Sequence, residues 1–448
     1  MVPRSGRSRR ERLASRLHIR RMLRTGYIVA VAVVGGLVAA MFARLCDATM
    51  RLHADLYRQA PWAMLALLPA GFAGLVWLTR RLAPEAAGSG IPQVVAAAEF
   101  RWRGRWDGQR VTLRTAAFKV LLSVLGLLCG ASIGREGPTV QVVAGIQRSL
   151  TRGLRGGPGR RALIIAGGAA GVAAAFNTPI AGVVFAVEEL ARSFERRTHT
   201  AVILVVVVSG FTAYALQGDY AYFGVRSHGT ALTSAWLAAP LVGLAGGLLG
   251  GAFARTLVAV IGPGDAGLAA WRRRRPVVFA LICGAVAAAI AAATGGLTFG
   301  AGYEEAKAIL QGSAGRGLEF AGAKWLATLA AACSGIPGGI FAPSLSIGAG
   351  LGAAFGHMGL GVAGGDAVVL GMASYLTGVV QAPLTSAVIL MEMTRDPALV
   401  GPLMLSALLA RWSSGLVMPQ PLYHVLAQTW RRATEPANTA GRHHASDA

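Results

Sequence analysis

Four acidic residues lie inside apolar stretches of this 448-residue chain: Glu136, the pair Glu188–Glu189, and Glu392. An ionised acid at mid-membrane costs at least ~2.5 kcal/mol, so such residues mark substrate or proton paths. Glu136 sits within a Gly- and Pro-rich break, Gly134-Arg135-Glu136-Gly137-Pro138. Two similar breaks, Gly88-Ser89-Gly90-Ile91-Pro92 and Gly338-Gly339-Ile340-Phe341-Ala342-Pro343, also open apolar segments. Proline suits the start of a helix, and glycine lets backbone approach a ligand closely. A helix N-terminus presents unpaired N–H groups and partial positive charge. Three such ends aimed at one place would hold a small anion weakly enough for quick release. An ionised Glu136 beside that place competes with the anion; a protonated one does not. That is a gate linked to proton binding. The plainer readings are turn glycines and, for Glu136, an acid capping a helix. Glu188 and Glu189 also fit an interfacial pair bridged to basic residues near Arg192. Glu392, four residues before Asp396, has the same ambiguity.

The elements that must position these residues belong in a membrane. The chain is 54% hydrophobic and only 14% charged, against about 25% charged in soluble proteins. Its mean hydropathy is +0.53. Net charge is +23, and 40 of the 43 cations are Arg, clustered between long apolar runs. Clusters of that kind mark a polytopic membrane protein and exclude a nucleic-acid binder, whose basic face would lie on a water-soluble domain. The Arg, Ala and Gly excess reads as bacterial GC-rich coding bias. Cys46, Cys129, Cys283 and Cys333 show no C-x-x-C and no zinc spacing, so they read as buried free thiols.

Charge also sets topology. Residues 1–24 carry nine Arg and one acid, and an apolar run from Tyr27 to Leu45 follows. That run exceeds the roughly 7–15 residues of a signal-peptide core, so it reads as an uncleaved first helix with a cytoplasmic N-terminus. Basic clusters at Arg101–Arg114, Arg148–Arg161, Arg192–Arg197 and Arg272–Arg275 belong on the cytoplasmic side. Residues 115–147 and 162–190 therefore start and finish on one side, with only 33 and 29 residues each. Two full crossings need about 40 residues. Each stretch is predicted to be a hairpin with a short, partial helix, broken at Gly134–Pro138 and at Phe176-Asn177-Thr178-Pro179. Non-helical backbone survives at that depth only inside protein or beside water.

The two halves are weakly alike. Aligned on Pro179 and Pro383, both place a glutamate nine residues later, at Glu188 and Glu392. Pro138 precedes Pro179 by 41 residues, and Pro343 precedes Pro383 by 40. A duplication explains this, and inverted repeats place a substrate site at their interface near mid-membrane.

As an ordered set, GSGIP (88–92), GREGP (134–138), GGIFAP (338–343) and Pro421-Leu422-Tyr423 resemble the signature stretches of the CLC chloride channel and transporter family, over about residues 25–430. The resemblance implies an all-α polytopic membrane protein with a CLC-like fold: two inverted-topology repeats whose broken and re-entrant helices meet at a mid-membrane anion site. It implies a basic cytoplasmic segment 1–24, a transport domain 25–430 (repeats about 25–225 and 230–430) and a short cytoplasmic tail 431–448, without the regulatory domain pair of many eukaryotic members. By the same resemblance Ser89 and Tyr423 offer hydroxyls to the anion. The N–H groups of Ile340 and Phe341 and the turn Gly134, Arg135, Glu136 and Gly137 complete the site. Glu136 is then the external gating glutamate that carries the proton, and Glu189 the internal proton-transfer glutamate, supported by Glu188 and Lys119. Lys119 alternatively reads as an interfacial lysine reaching the headgroups.

An acid at Glu189 distinguishes exchangers from many channel members. The expected function is chloride/proton antiport, with a passive voltage- or pH-gated chloride channel as the alternative. The expected partners are chloride, protons, the lipid bilayer and a second copy in a homodimer with one pore per subunit. No cofactor, metal or nucleic acid is expected, and the expected location is a bacterial inner membrane with both termini cytoplasmic. Ser89 and Pro138 argue against nitrate- and fluoride-selective branches. One departure is Gln93-Val94-Val95, where bacterial exchangers carry acids at the first and third positions. Val95 removes a partner for Lys119 and Glu189. A competing class, an intramembrane enzyme using Glu136 and Glu188 as paired acids, finds neither H-E-x-x-H nor a P-loop; the chain is expected not to be an enzyme.

Overall fold

The computed structural model describes residues 9–99, 101–102, 105–106, 110–154, 158–190, 196–218, 223, 233–262, 266–312, 317–358 and 364–432. Arg192, the first eight residues and the tail beyond residue 432 lie outside them.

The apolar runs fold as helices. α1 (Arg9–Gln59) is one helix of 51 residues. It crosses the expected 24/25 boundary without a break, because Arg, Leu and Ala are good helix formers. Pro61 then opens α2 (Pro61–Leu82). There follow α3 (Ile91–Glu99), α4 (Leu113–Leu128), α5 (Glu136–Leu150), α6 (Arg160–Phe176), α7 (Pro179–Phe185) and α8 (Arg196–Gln217). A short antiparallel pair, Arg101–Trp102 (β1) with Arg105–Trp106 (β2), lies before α4. A π-helical turn, Ala186–Leu190, extends α7. α9 (Thr233–Ile261) and α10 (Gly267–Arg274) lead to a second series: α11 (Pro276–Ala293), α12 (Tyr303–Leu310), α13 (Gly317–Ser334), α14 (Phe341–Gly356), α15 (Gly364–Val380), α16 (Pro383–Thr394) and α17 (Val400–Val417). α18 (Leu422–Arg432) closes the described chain. The series α2–α8 and α11–α17 correspond element by element.

Among the described residues, six helices are long and apolar enough to cross a membrane. The chain is a multi-pass membrane protein. The two predicted hairpins are α4–α5 and α6–α7. α5 has 15 residues, about 22 Å at 1.5 Å per residue, and so stops short of a ~30 Å hydrocarbon core.

Backbone detail repeats as well. Asn177 after α6 and Gln381 after α15 are both left-handed, with φ of 60° and 63°. Each precedes by two residues the proline that opens the next helix. Gly134 and Gly339, each four residues before a matching proline, exchange two backbone hydrogen bonds of 2.8 Å in an antiparallel bridge. Equivalent turns thus face each other about a local twofold axis. Behind them α6 is buried all round from Ala162 to Phe176. A Cβ on Gly167 or Gly171 would come within 2.8 Å of Ala144 Cα or 2.7 Å of Val140 Cα; small residues permit this approach to α5.

Glu188 and Glu392 settle into reciprocal roles. The Glu188 carboxylate accepts from the N–H groups of Leu384 (3.0 Å) and Thr385 (2.7 Å) and from the Thr385 hydroxyl (2.7 Å), at the start of α16. The Glu392 carboxylate accepts from the N–H groups of Ile180 (3.1 Å) and Ala181 (2.7 Å), at the start of α7. Each repeat therefore caps the other's short helix. Glu392→Ala is expected to lower stability by about 1–2 kcal/mol, the usual loss for a helix cap. A thermal melt of the detergent-solubilised protein checks this, and an unchanged midpoint contradicts it.

Candidate functional site

Ser89 sits between Gly88 and Gly90, whose φ values of +64° and +103° require glycine. Lys119 of α4 is fully buried and donates to the carbonyls of Ala86 (2.8 Å) and Gly88 (2.6 Å). It is therefore a buried strut under the Ser89 loop, not an interfacial lysine. The Gly88 carbonyl also accepts from the Gly338 N–H (3.0 Å), which ties the loop to the second repeat. Gly137 lies directly against Ser89, and a Cβ there would come within 2.4 Å of Ser89 Oγ.

Tyr423, in the first turn of α18, lies parallel to Phe341, with ring centroids 5.9 Å apart and planes at 4°. Phe341 opens α14, next to the cap residue Ile340, and also packs on Phe176 and Phe185. The Ser89 and Tyr423 hydroxyl oxygens are both buried, and neither forms a regular hydrogen bond among the described residues. Buried hydroxyls without acceptors are rare in folded proteins. Two of them beside helix N-termini suit a small anion as the missing acceptor.

Glu136 is the first residue of α5. Its Oε1 accepts the Tyr303 hydroxyl at 2.9 Å. Its Oε2 is buried without a hydrogen bond and lies against Gly134, close to Ala342 and Pro343 in the first turn of α14. The carboxylate thus occupies the junction of two helix N-termini, one from each repeat. Arg135 points elsewhere: its guanidinium donates to the Ala43 carbonyl (2.6 Å) and pairs with Asp47 (2.5 Å) on α1. Arg135 and Tyr303 line a cavity of about 750 Å³. Arg44, Arg51 and Arg58 of α1 line it too, seven residues apart and so on one face. With Lys307, the described residues of the wall hold five cations against three acids, Asp47, Glu304 and Glu305, a field that gathers anions.

The loop before Tyr303 has its own strut. Lys324 of α13, fully buried, donates to the carbonyls of Thr298 (2.9 Å), Phe299 (3.3 Å) and Gly300 (2.7 Å). It stands 19 residues before Pro343, as Lys119 stands 19 before Pro138. That shared spacing was the signal for Lys324, which sequence reasoning passed over. Nothing local pointed to Tyr303, 167 positions from Glu136.

Glu189 is 3% exposed and faces His424, another residue that sequence reasoning missed. Val95 is fully buried in apolar packing. All four cysteines are free thiols. Gly130-Ala131-Ser132-Ile133-Gly134 has the letters G-x-S-x-G of a nucleophile elbow, which requires a strand-to-turn-to-helix setting. Here the segment follows helix α4, and the Ser132 hydroxyl is buried against that of Thr328 at 2.9 Å.

A membrane-embedded site between paired repeats defines the class of protein, and comparison with known proteins gives the family. The voltage gated chloride channel family matches residues 70–415, and the chain belongs to it. The structure resembles that of a slow cyanobacterial Cl⁻/H⁺ antiporter, with 25% identity, 92% of this chain and 99% of that one covered, and a TM-score of 0.77. It shares its fold with a CLC-type fluoride/proton antiporter (21% identity, 90% and 97% covered, TM-score 0.75). The fold also matches a eukaryotic CLC transporter (22% identity, 92% and 75% covered, TM-score 0.72).

Proposed function

We propose that this protein carries chloride across a bacterial inner membrane in exchange for protons, as a homodimer with a complete pathway in each subunit and both termini cytoplasmic, and that it is not an enzyme. The observation that carries the reading is the Glu136 carboxylate. It lies between a cation-rich cavity and the Ser89–Tyr423 hydroxyls, at the junction of the two repeats. Family membership and the likeness to the cyanobacterial antiporter support it.

Ionised Glu136 fills the place between the N-termini of α5 and α14 as a tethered anion. Protonation removes its charge and weakens its hold on those N-termini. The side chain then leaves, and chloride enters the same place. The Ser89 and Tyr423 hydroxyls and the N–H groups at Ile340 and Phe341 donate hydrogen bonds to the ion. Protons pass between Glu136 and Glu189 as chloride passes Tyr423. Val95 favours a second reading, a passive chloride channel with no internal proton route.

Proton uptake into liposomes under an imposed chloride gradient, with the membrane potential controlled, separates the two. Uphill proton movement supports the exchanger; chloride flux without it leaves the channel.

The Tyr303 hydroxyl holds Glu136 in its present place. Tyr303→Phe removes one hydrogen bond to the carboxylate, worth about 1–2 kcal/mol. Chloride turnover limited by gate release is then expected to rise roughly fivefold or more, given tenfold per 1.4 kcal/mol. Flux measurements across pH check this; turnover at the wild-type level contradicts the latch.

A further inference from the structure

His424 follows Tyr423 on α18 and so points about 100° further round the helix, towards α3, on which α18 packs. Its Nδ1 lies 3.4 Å from Glu99 Oε1, and its Nε2 lies 4.0 Å from Glu189 Oε1. The imidazole therefore stands between two carboxylates, one on α3 and one on the π-helical turn after α7. Side-chain exposure falls along the row, from 15% at Glu99 through 6% at His424 to 3% at Glu189. Arg110 reaches the far end of α18, where it donates to the Trp430 carbonyl at 2.8 Å. Both groups paired with His424 in these contacts are acids, and the row leads from a more accessible carboxyl to a buried one.

We propose that His424 relays protons between Glu99 and Glu189, giving this chain an internal proton route at a place where Val95 offers none. The proposal rests on the antiport reading above. Imidazole suits the task because one ring nitrogen accepts while the other donates. A proton arriving on the Glu99 carboxylate passes to Nδ1, which makes the ring a cation. The Nε2 proton then passes to the Glu189 carboxylate, and the ring is neutral again with its hydrogen on Nδ1. The starting tautomer returns when a water takes the Nδ1 hydrogen and gives one to Nε2, which leaves ring and water unchanged in charge. One proton has moved from Glu99 to Glu189, and no group has changed its net charge except those two carboxyls. Distances of 3.4 and 4.0 Å close to transfer range with small side-chain rotations, as resting sites often require.

The test measures chloride flux and chloride-driven proton uptake in the same liposomes, with full-length wild type, His424→Gln, His424→Asn and Glu99→Gln. Glutamine and asparagine keep polar contacts and cannot relay. The ratio of chloride to proton flux is expected to rise roughly a hundredfold or more in each variant, the low end of what a lost acid–base group removes. A wild-type ratio in the variants overturns the relay, whether both fluxes persist or both fall together, because a packing role lowers them in step. If the His424 variants do not fold, Glu99→Gln decides by the same ratio. Absence of proton uptake in wild type itself overturns the antiport reading and the relay with it, and is recognised without any variant.

Discussion

Glu136→Gln is expected to abolish chloride-driven proton uptake while chloride continues to flow. Glutamine has the shape of the protonated acid and cannot release a proton. Its amide oxygen can still accept the Tyr303 hydroxyl, as Glu136 Oε1 does. Its amide nitrogen then takes the place of Oε2, against Gly134 and beside the first turn of α14. There a donor meets the positive ends of two helices, where a carboxylate met favourable dipoles. Each helix end contributes about 0.3–1 kcal/mol to a nearby anion, and up to ~2 kcal/mol where partly buried. Loss of both moves the balance towards the released side chain by roughly 2–3 kcal/mol, and at 1.4 kcal/mol per decade that is a factor of about 30–140. Chloride flux should therefore lose its dependence on pH as well as its coupling. Parallel flux assays over a range of pH check both results. Proton uptake that survives in Glu136→Gln contradicts the assignment of the gate.

The parts of this site that could be read in advance share one property: local chemistry writes them into short stretches of chain. Gly88, Gly134 and Gly338 sit at turns, and Pro92, Pro138 and Pro343 fall within the first turns of α3, α5 and α14. Glycine and proline punctuate backbone wherever they occur, so the breaks were visible. The hairpins followed from charge, since residues 115–147 are too short to cross twice. The reach of α1 was not visible: arginine clusters report a side of the membrane, while helix propensity decides where a helix starts. Tyr303 and His424 were hidden for another reason. Each acquires its role from a contact between distant parts of the chain, Tyr303 with Glu136 and His424 with Glu99 and Glu189. The crossed caps at Glu188 and Glu392 show the intermediate case. Their spacing from Pro179 and Pro383 revealed a repeat, yet only the fold shows that each serves the other's helix.

Gly137→Ala is expected to reduce chloride flux by about two orders of magnitude, the scale of loss when a reacting group shifts by 1 Å. The new methyl group would stand 2.4 Å from Ser89 Oγ, 2.8 Å from the Ser89 carbonyl oxygen and 3.4 Å from Gly339 Cα. A side chain at the end of a flexible stem could move aside, but this loop is held. The Gly88 carbonyl is bonded to Lys119 and to the Gly338 N–H. A Cβ on Gly90 would already lie 2.9 Å from both Gln141 and the Gly137 carbonyl, so the loop has no room to slide that way. Relief must come from rotating the Ser89 hydroxyl off the pathway or from moving the start of α5. The second course strains the Gly134–Gly339 bridge and with it the seat of Glu136. Gly74→Ala in α2 is the control, because nothing lies within 4 Å of its added methyl. Replacing a mid-helix glycine should stabilise by up to about 1 kcal/mol, leaving flux at the wild-type level. If the methyl acts through the Ser89 side chain, adding Ser89→Gly to Gly137→Ala should give a loss smaller than the sum of the two single losses. Additive losses would place the obstruction in the backbone, and wild-type flux in Gly137→Ala would remove Ser89 from the anion pathway altogether.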